Sequence, residues 1–413
     1  MSDSFRFFVG VDLGSTAHQG CVVDGAGQTL GQRSIAHSGA DVAAWFDWLA
    51  QLTAGAAPAE IALASEMPHG ALVEAALLRG YAVFAINPKQ LDRFRDRFSA
   101  AGAKDDRRDA RVAAQALRTD RYAFRRLTLG DPRLLRLREL ARAEDALRKD
   151  LRRCSNQLWQ LLQRYFPMLL QLAPAADEPW LWALLRLAPL PDQAARLRPT
   201  KLERLLQTHH IRRFSAAELR ELLCQPPLTL APGAAPALAE QVHLLLPRLE
   251  LLHGQLRQLV QTIEQLIEEL STDENFSEHR DVQILRSLPG VGRVFTATVL
   301  SEASELLAQR DYRVLRAVAG VAPVTAQSGK TLLVSIRRAC HGRLRHAVFH
   351  SAGVHAQRDP RARQLYAQLR ARGHSHPRAV RGVADRFLAL LFTLLKSGQS
   401  YDPQRRALPQ PLS

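Results

Sequence analysis

Four carboxylates stand where an α/β fold would gather them: Asp12, Glu66, Asp106 and Asp109. Asp12 closes an apolar run, Phe7-Phe-Val-Gly-Val-Asp12, and Glu66 closes another, Ile61-Ala-Leu-Ala-Ser-Glu66. Asp106 and Asp109 lie three apart in Lys104-Asp-Asp-Arg-Arg-Asp-Ala110. That segment reads as a helix start, so both would face one side. Acids at strand ends and on one helix face can converge on divalent cations. Magnesium takes oxygen ligands, and a metal pair drives phosphodiester chemistry. Singly, each acid has an ordinary reading: an exposed strand end for Asp12 or Glu66, a cap or solvated face for Asp106 and Asp109. Asp105 competes with Asp106. Lys104, Arg107 and Arg108 would contact a scissile phosphate or soften repulsion among the acids. Gly14-Ser-Thr16 reads as a tight turn that lets backbone approach a phosphate.

A second constellation lies more than two hundred residues away. Leu288-Pro-Gly-Val-Gly292 precedes an Ala/Thr/Leu-rich helix and resembles a helix-hairpin-helix element. In such elements Gly290 and Gly292 would shape a hairpin whose backbone N–H groups hold a phosphate without reading sequence. The bland reading is an ordinary glycine turn. Ser328, in a predicted loop before Gly329, is a candidate nucleophile. It would need an activating group and phosphate-binding cations. Lys330, Arg337, Arg338, Arg343 and Arg345 are the candidate cations. Ser335 is the local competitor, and a serine beside glycine is more often a turn former. His341, His346, His350 and His355 recur at spacings of five, four and five; packing or surface roles outweigh metal binding there.

These residues need elements to hold them. Strand patterns cover Phe7–Asp12, Gly20–Val23, Thr29–Ile35, Ile61–Ser65 and Tyr81–Ile86; helical patterns cover 41–54 and 69–79. Periodicity alone licenses an α/β domain. Residues 131–166 read as one long helix ended by Pro167. Residues 168–240 read as short helices with no assignable chemistry. Leu245, Leu249, Leu252, Leu256, Leu259, Ile263, Leu266 and Leu270 form a heptad seam, weakened at its start by Pro247 and Gly254. The two long seams would pair with each other or across subunits. Ser271–His279 reads as a linker. Helices are predicted at about 292–308, 311–319, 340–356, 360–371 and 376–397. The expected domains are 1–130, 131–280 and 281–400, with a 401–413 tail.

The chain carries 56 Lys+Arg against 40 Asp+Glu, a net charge of +16. Residues 1–84 hold three basic against eight acidic side chains, whereas residues 310–386 hold sixteen against three. Positive charge confined to segments is the footprint of a polyanion partner. Four scattered cysteines without a CxxC pair suggest neither zinc nor a disulfide framework. Neither a signal segment nor a run of about 18 apolar residues is evident, so a cytoplasmic protein without membrane association is expected.

Together the motifs resemble the transposases of insertion-sequence family 110, bridge-RNA-guided recombinases. The resemblance rests on Val-Gly-Val-Asp12, Glu66, Lys104-Asp-Asp-Arg-Arg-Asp109-Ala and Leu-Pro-Gly-Val-Gly292. Gly320-Val-Ala-Pro…Gln-Ser328-Gly and the basic Arg337-Arg-Ala-Cys-His-Gly-Arg-Leu-Arg345 complete it. It covers roughly residues 5–165 and 281–375, in family order. It implies an α/β ribonuclease H-like (RuvC-like) N-terminal domain, a helical coiled-coil middle and a mainly α C-terminal domain. Asp12, Glu66, Asp106 and Asp109 would be DEDD acids binding two magnesium ions, and Ser328 the nucleophile that becomes joined to DNA. A structured noncoding guide RNA would pair with donor and target DNA. The protein would act as a dimer or tetramer, with acids and serine from different subunits, and associate with the nucleoid. The main alternative is a RuvC-like metal-dependent nuclease or junction resolvase without serine chemistry. An inactive nucleic-acid scaffold is a further reading. A sugar or acetate kinase also opens Val-Asp-Leu-Gly-Ser-Thr, but later Gly-rich phosphate loops are missing.

Overall fold

The structure, a computed structural model, describes residues 5–98, 105–276, 278–329 and 331–403. Lys104, Lys330 and residues 404–413 lie outside the described residues. The chain divides into two compact units, Met1–Asp131 and Pro132–Ser413.

The first unit begins with three antiparallel strands: β1 (Phe7–Leu13), β2 (Ala17–Asp24) and β3 (Thr29–Ala36). Then come α1 (Gly39–Leu52), β4 (Ile61–Ser65), α2 (Ala71–Leu78), β5 (Ala82–Ala85), α3 (Pro88–Phe98), α4 (Asp106–Asp120) and β6 (Arg125–Arg126). They form a six-stranded mixed sheet, β3-β2-β1-β4-β5-β6, with β1, β4 and β5 parallel. This mixed α/β sheet is consistent with the expected ribonuclease H-like domain. All five predicted strands are present; the two-residue β6 was not anticipated, and its brevity leaves no periodicity to read.

Alternation along the strands sorts the core into two faces. Val9, Val11, Ile61 and Leu63 pack with Trp45, Leu49 and Val73 from α1 and α2. Phe8, Ala62 and Ala64 pack on the other face with Ala110, Ala113 and Ala114 of α4. Small residues on both sides let α4 lie close to the sheet. Gly10 takes this furthest: a Cβ there would sit 1.9 Å from the Ala110 carbonyl oxygen and 2.5 Å from the Ala114 nitrogen.

The second unit is mainly helical. Its two long helices are α5 (Pro132–Tyr165) and α11 (Ala234–Thr272). Between them lie α6 (Leu169–Leu172), α7 (Pro179–Leu187), α8 (Pro191–Ala195), α9 (Pro199–Thr208) and α10 (Ala216–Leu223). After them come α12 (His279–Ser287), α13 (Arg293–Ala308), α14 (Tyr312–Val318), the hairpin β7 (Val324–Ser328) and β8 (Thr331–Ser335), α15 (Gly342–Arg358), α16 (Pro360–Ala371) and α17 (His376–Ser397).

The helices α5 and α11 pack against each other, which answers the question of pairing within this chain. They run antiparallel: Leu134, Leu137 and Ala141 share a core with Ile263, Leu266 and Leu270, whereas Cys154, Leu158 and Leu162 share one with Leu238, Val242 and Leu249. Burial follows a seven-residue period along Val242, Leu249, Leu256, Ile263 and Leu270, while Leu245, Leu252 and Leu259 are half-buried. The helix continues through Pro247 and Gly254. Residues 168–240 close the far core around Trp180 and Trp182, both fully buried. Their indole N–H groups donate to Glu178 and to the Ala176 carbonyl, at 2.9 and 3.0 Å. Each buried indole body is worth roughly 2–3 kcal/mol.

One charge sits in the α5 seam. Glu144 is 3% exposed and receives hydrogen bonds of 2.8 Å from Arg148 Nε and from Arg293 Nη2 at the start of α13. Burial pushes its carboxyl up, but the hydrogen bonds from Arg293 and Arg148 outweigh it and hold the group below its ordinary value of 4.5. Glu144→Gln should therefore cost about 2–3 kcal/mol, softened by Glu264, which lies 3.4 Å from Arg293. The wild-type contribution should be complete above about pH 4.5 and vanish as pH falls through the lowered folded value. Urea titrations of both proteins from pH 3 to 7 check this: the gap between their stabilities should narrow toward the acid end.

Candidate active site

The end of the sheet carries two of the four acids, Asp12 within β1 and Glu66 just after β4, and Arg95 of α3 joins Glu66 to Asp109 of α4. β1 and β4 are adjacent and parallel, with Gly10 opposite Ala64 and Val11 opposite Ser65. Asp12 is the next residue of β1, whereas β4 ends at Ser65 and Glu66 follows it outside the strand. Gly10 and Ala64 face α4, so alternation turns Asp12 to that same face, while Glu66 lies 3.6 Å from Arg95 of α3. Asp109 immediately precedes Ala110, the residue whose carbonyl closes on Gly10. Glu66 and Asp109 come together through Arg95, where the strand pair ends beside the first turn of α4.

Asp109 is 2% exposed, and Arg95 of α3 holds both its oxygens. Arg95 Nε donates to Oδ1 at 2.6 Å, and Nη2 donates to Oδ2 at 2.8 Å. The same Nη2 lies 3.6 Å from Glu66 Oε1, and Nη1 pairs with Asp92. Asp106, one turn before Asp109, is exposed at the first residue of α4. The two aspartates therefore differ sharply in environment, despite their spacing of three. The cap of α4 is Asp105, whose side chain accepts from Arg107 N at 3.2 Å. Arg107 is exposed and Arg108 half-buried on the same first turn.

Among the described residues, no three histidine, cysteine or acidic side chains are grouped closely enough to hold a metal ion. The chemistry of the donor set nevertheless fits one. A cationic guanidinium already spans Glu66 and Asp109, and Asp12 lies on the sheet face that α4 covers. Hard oxygen donors of this kind suit magnesium. The histidine series offers no alternative: His355 is buried and bonded to the Pro289 carbonyl at 2.7 Å, while His350 is exposed.

In the second unit, Ser328 is the last residue of β7, opposite Thr331, and is exposed. Sequence reading expected a loop there; the structure ends a strand at Ser328, followed by Gly329 at φ 55°. Ser335, the competitor, lies at the other end of the hairpin opposite Val324. Arg338 is exposed, and Arg337 half-buried. Arg345 lies over the Phe349 ring at 5.9 Å. Arg343 Nε is 3.2 Å from Asp145 and 3.8 Å from Glu302, so acids already neighbour it.

The two hairpin glycines differ. Gly290 has φ 94°, and a Cβ there would meet His355 N and Ser351 O at 2.7 Å, so packing alone demands glycine. Gly292 is the N-cap of α13 and faces open space. Glu264 and Glu268 line the same depression as Gly292 and Arg293.

Arg95 was missed as a site residue in the sequence. Its only signal was a position fourteen residues before Asp109 in an Arg/Asp-rich stretch, and its role depends on how α3 packs against α4.

A family described as "Transposase", with the model name DEDD_Tnp_IS110, matches residues 9–167. Another, described as "Transposase IS116/IS110/IS902 family", matches residues 282–367. The "Mini-circle putative transposase for IS117" of Streptomyces coelicolor is 32% identical across 98% of this chain and 98% of its own length. "Putative transposase y4uE" of Sinorhizobium fredii is 44% identical over 52% of this chain, an alignment spanning 60% of that protein. The "Insertion element IS110 uncharacterized 43.6 kDa protein" of S. coelicolor is 29% identical over 97% of this chain and 96% of its own. The DEDD family match points to divalent-metal dependence. Among the described residues no helix is long and apolar enough to cross a membrane. The match at both ends and the relative aligned across nearly its whole length establish that this chain belongs to the IS110 family of insertion-sequence transposases, enzymes that cut and rejoin DNA.

Proposed function

We propose that this transposase is an RNA-guided DNA recombinase that combines a metal-binding acid cluster with a serine nucleophile. Asp12, Glu66, Asp106 and Asp109 would hold two magnesium ions, which would supply Lewis-acid stabilisation of the phosphate charge. Ser328 Oγ attacks phosphorus. The Oγ–P bond forms as a P–O bond of the DNA backbone breaks, and the serine proton passes through solvent or a neighbouring base to the departing oxygen. The phosphoserine diester keeps the bond energy for rejoining, when a DNA hydroxyl displaces Ser328. Lys104, Arg107, Arg108, Lys330, Arg337, Arg338, Arg343, Arg345 and the helix-hairpin-helix-like turn at Gly290 and Gly292 contact nucleic acid. Residues 1–130, 131–280 and 281–400 serve as RuvC-like, helical coiled-coil and serine-bearing domains of a homo-oligomer that works on the nucleoid.

The observation that carries this reading is the Arg95 guanidinium joining buried Asp109 to Glu66, beside the end of β1 that carries Asp12. Exposure of Ser328 and the basic surplus of residues 310–386 add to it. Guidance by RNA rests on the family resemblance and has its own test. Protein expressed together with its flanking DNA should retain one discrete noncoding RNA. Segments of that RNA should match both the element junction and the insertion site. Recovery of bulk cellular RNA alone would remove the guide from the account.

A further inference from the structure

We propose that Arg95 is a built-in cation that holds the acid cluster before metal arrives and is displaced by the metal. This rests on the metal-binding reading above and deepens it.

A buried carboxylate needs a counter-charge. Asp109 is almost fully buried, and both of its oxygens are satisfied by one guanidinium. That guanidinium also reaches Glu66 at 3.6 Å and Asp92. Arg95 thus neutralises two of the proposed metal ligands through the fork geometry that suits carboxylates. Its own side chain is one quarter exposed, and its helix ends at Phe98. Release toward solvent therefore does not require the sheet or α4 to unfold. Asp92, on the same helix and 62% exposed, provides a carboxylate that can keep the released guanidinium paired.

The Arg95 fork occupies a lone pair on each Asp109 oxygen, and a divalent cation chelated there would meet a positive charge within a few ångströms. Repulsion and competition for those lone pairs then drive the fork open as metal binds, and Arg95 weakens metal binding in turn. The arrangement holds Asp109 and Glu66 in place without metal and sets a threshold concentration below which the site stays idle.

The test uses the full-length protein and manganese, whose binding is followed by calorimetry and by electron paramagnetic resonance. Arg95→Gln should tighten Mn2+ binding at least tenfold, whereas Arg95→Lys, which keeps the charge but loses the fork, should fall between. Without metal, Arg95→Gln should melt lower than wild type, and saturating Mn2+ should restore more of its melting temperature. A readout on the unaltered protein covers failure of a variant to fold. Modification of Arg95 by a dicarbonyl reagent, mapped by peptide mass, should accelerate when Mn2+ is added. Equal or weaker Mn2+ binding in Arg95→Gln, or unchanged labelling of Arg95 under saturating metal, would overturn displacement while leaving the metal site intact. Absence of binding by wild type and variants alike would remove the metal site itself, and this inference with it.

Discussion

Gly10→Ala should destabilise the N-terminal unit by about 3 kcal/mol or more and abolish recombination with it. The added methyl would meet the Ala110 carbonyl oxygen at 1.9 Å and the Ala114 nitrogen at 2.5 Å. Both are backbone atoms, so no rotamer change relieves the clash; α4 must move away from the sheet. Moving α4 carries Asp109 away from Asp12 and Glu66 and opens the alanine interface built on Ala62, Ala64, Ala113 and Ala114. Chemical denaturation followed by circular dichroism checks the stability. Labelling of Arg95 by the same dicarbonyl reagent reports whether its fork around Asp109 has opened. A variant with native stability and unchanged Arg95 labelling would mean that α4 does not rest on Gly10.

Ser328→Ala should behave in the opposite way, with a normal fold and no strand exchange. Ser328 is exposed at the end of β7. Removing its hydroxyl should change stability by no more than about 0.5 kcal/mol. Removing an attacking nucleophile, by contrast, should lower exchange by more than roughly a thousandfold. DNA binding should persist, because one neutral hydroxyl contributes little beside the basic side chains of this segment. Gel-shift titration, thermal melting and a strand-exchange assay on the same preparation separate the three effects. Concurrent loss of melting temperature and DNA binding would identify Ser328 as a structural residue.

The sheet was readable because its strands are apolar runs interrupted by acids: Phe7–Asp12 and Ile61–Glu66 announce both the strand and its functional end. Strand adjacency was not legible in the runs themselves; the β1–β4 pairing, with Val11 opposite Ser65, is what aligns the two acid-bearing ends. Helix spacing was a weaker guide. Asp106 and Asp109 share a nominal face, yet burial separates them, since only Asp109 reaches the sheet. Arg95 could not be read because its fork forms across α3 and α4, and no local pattern encodes that pairing. The α5 seam was legible as a period, whereas the reason for Glu144 within it lies 149 residues away in Arg293. The hairpin β7–β8 escaped notice because its described side chains around Ser328 are exposed and bury no alternating face. Even so, the run Thr331-Leu-Leu-Val-Ser335 beside Gly329 held a strand signal.

The most direct measurement is capture of a covalent protein–DNA species. Purified protein with RNA from its own flanks is incubated with end-labelled junction DNA and magnesium, quenched without protease, and run on a denaturing gel. The account predicts a slow band that protease collapses to free DNA, that requires divalent metal, and that is missing in Ser328→Ala. Free cut ends with no linked species, unchanged in Ser328→Ala but lost in Asp106→Ala, would contradict serine chemistry and leave a metal-dependent nuclease in its place.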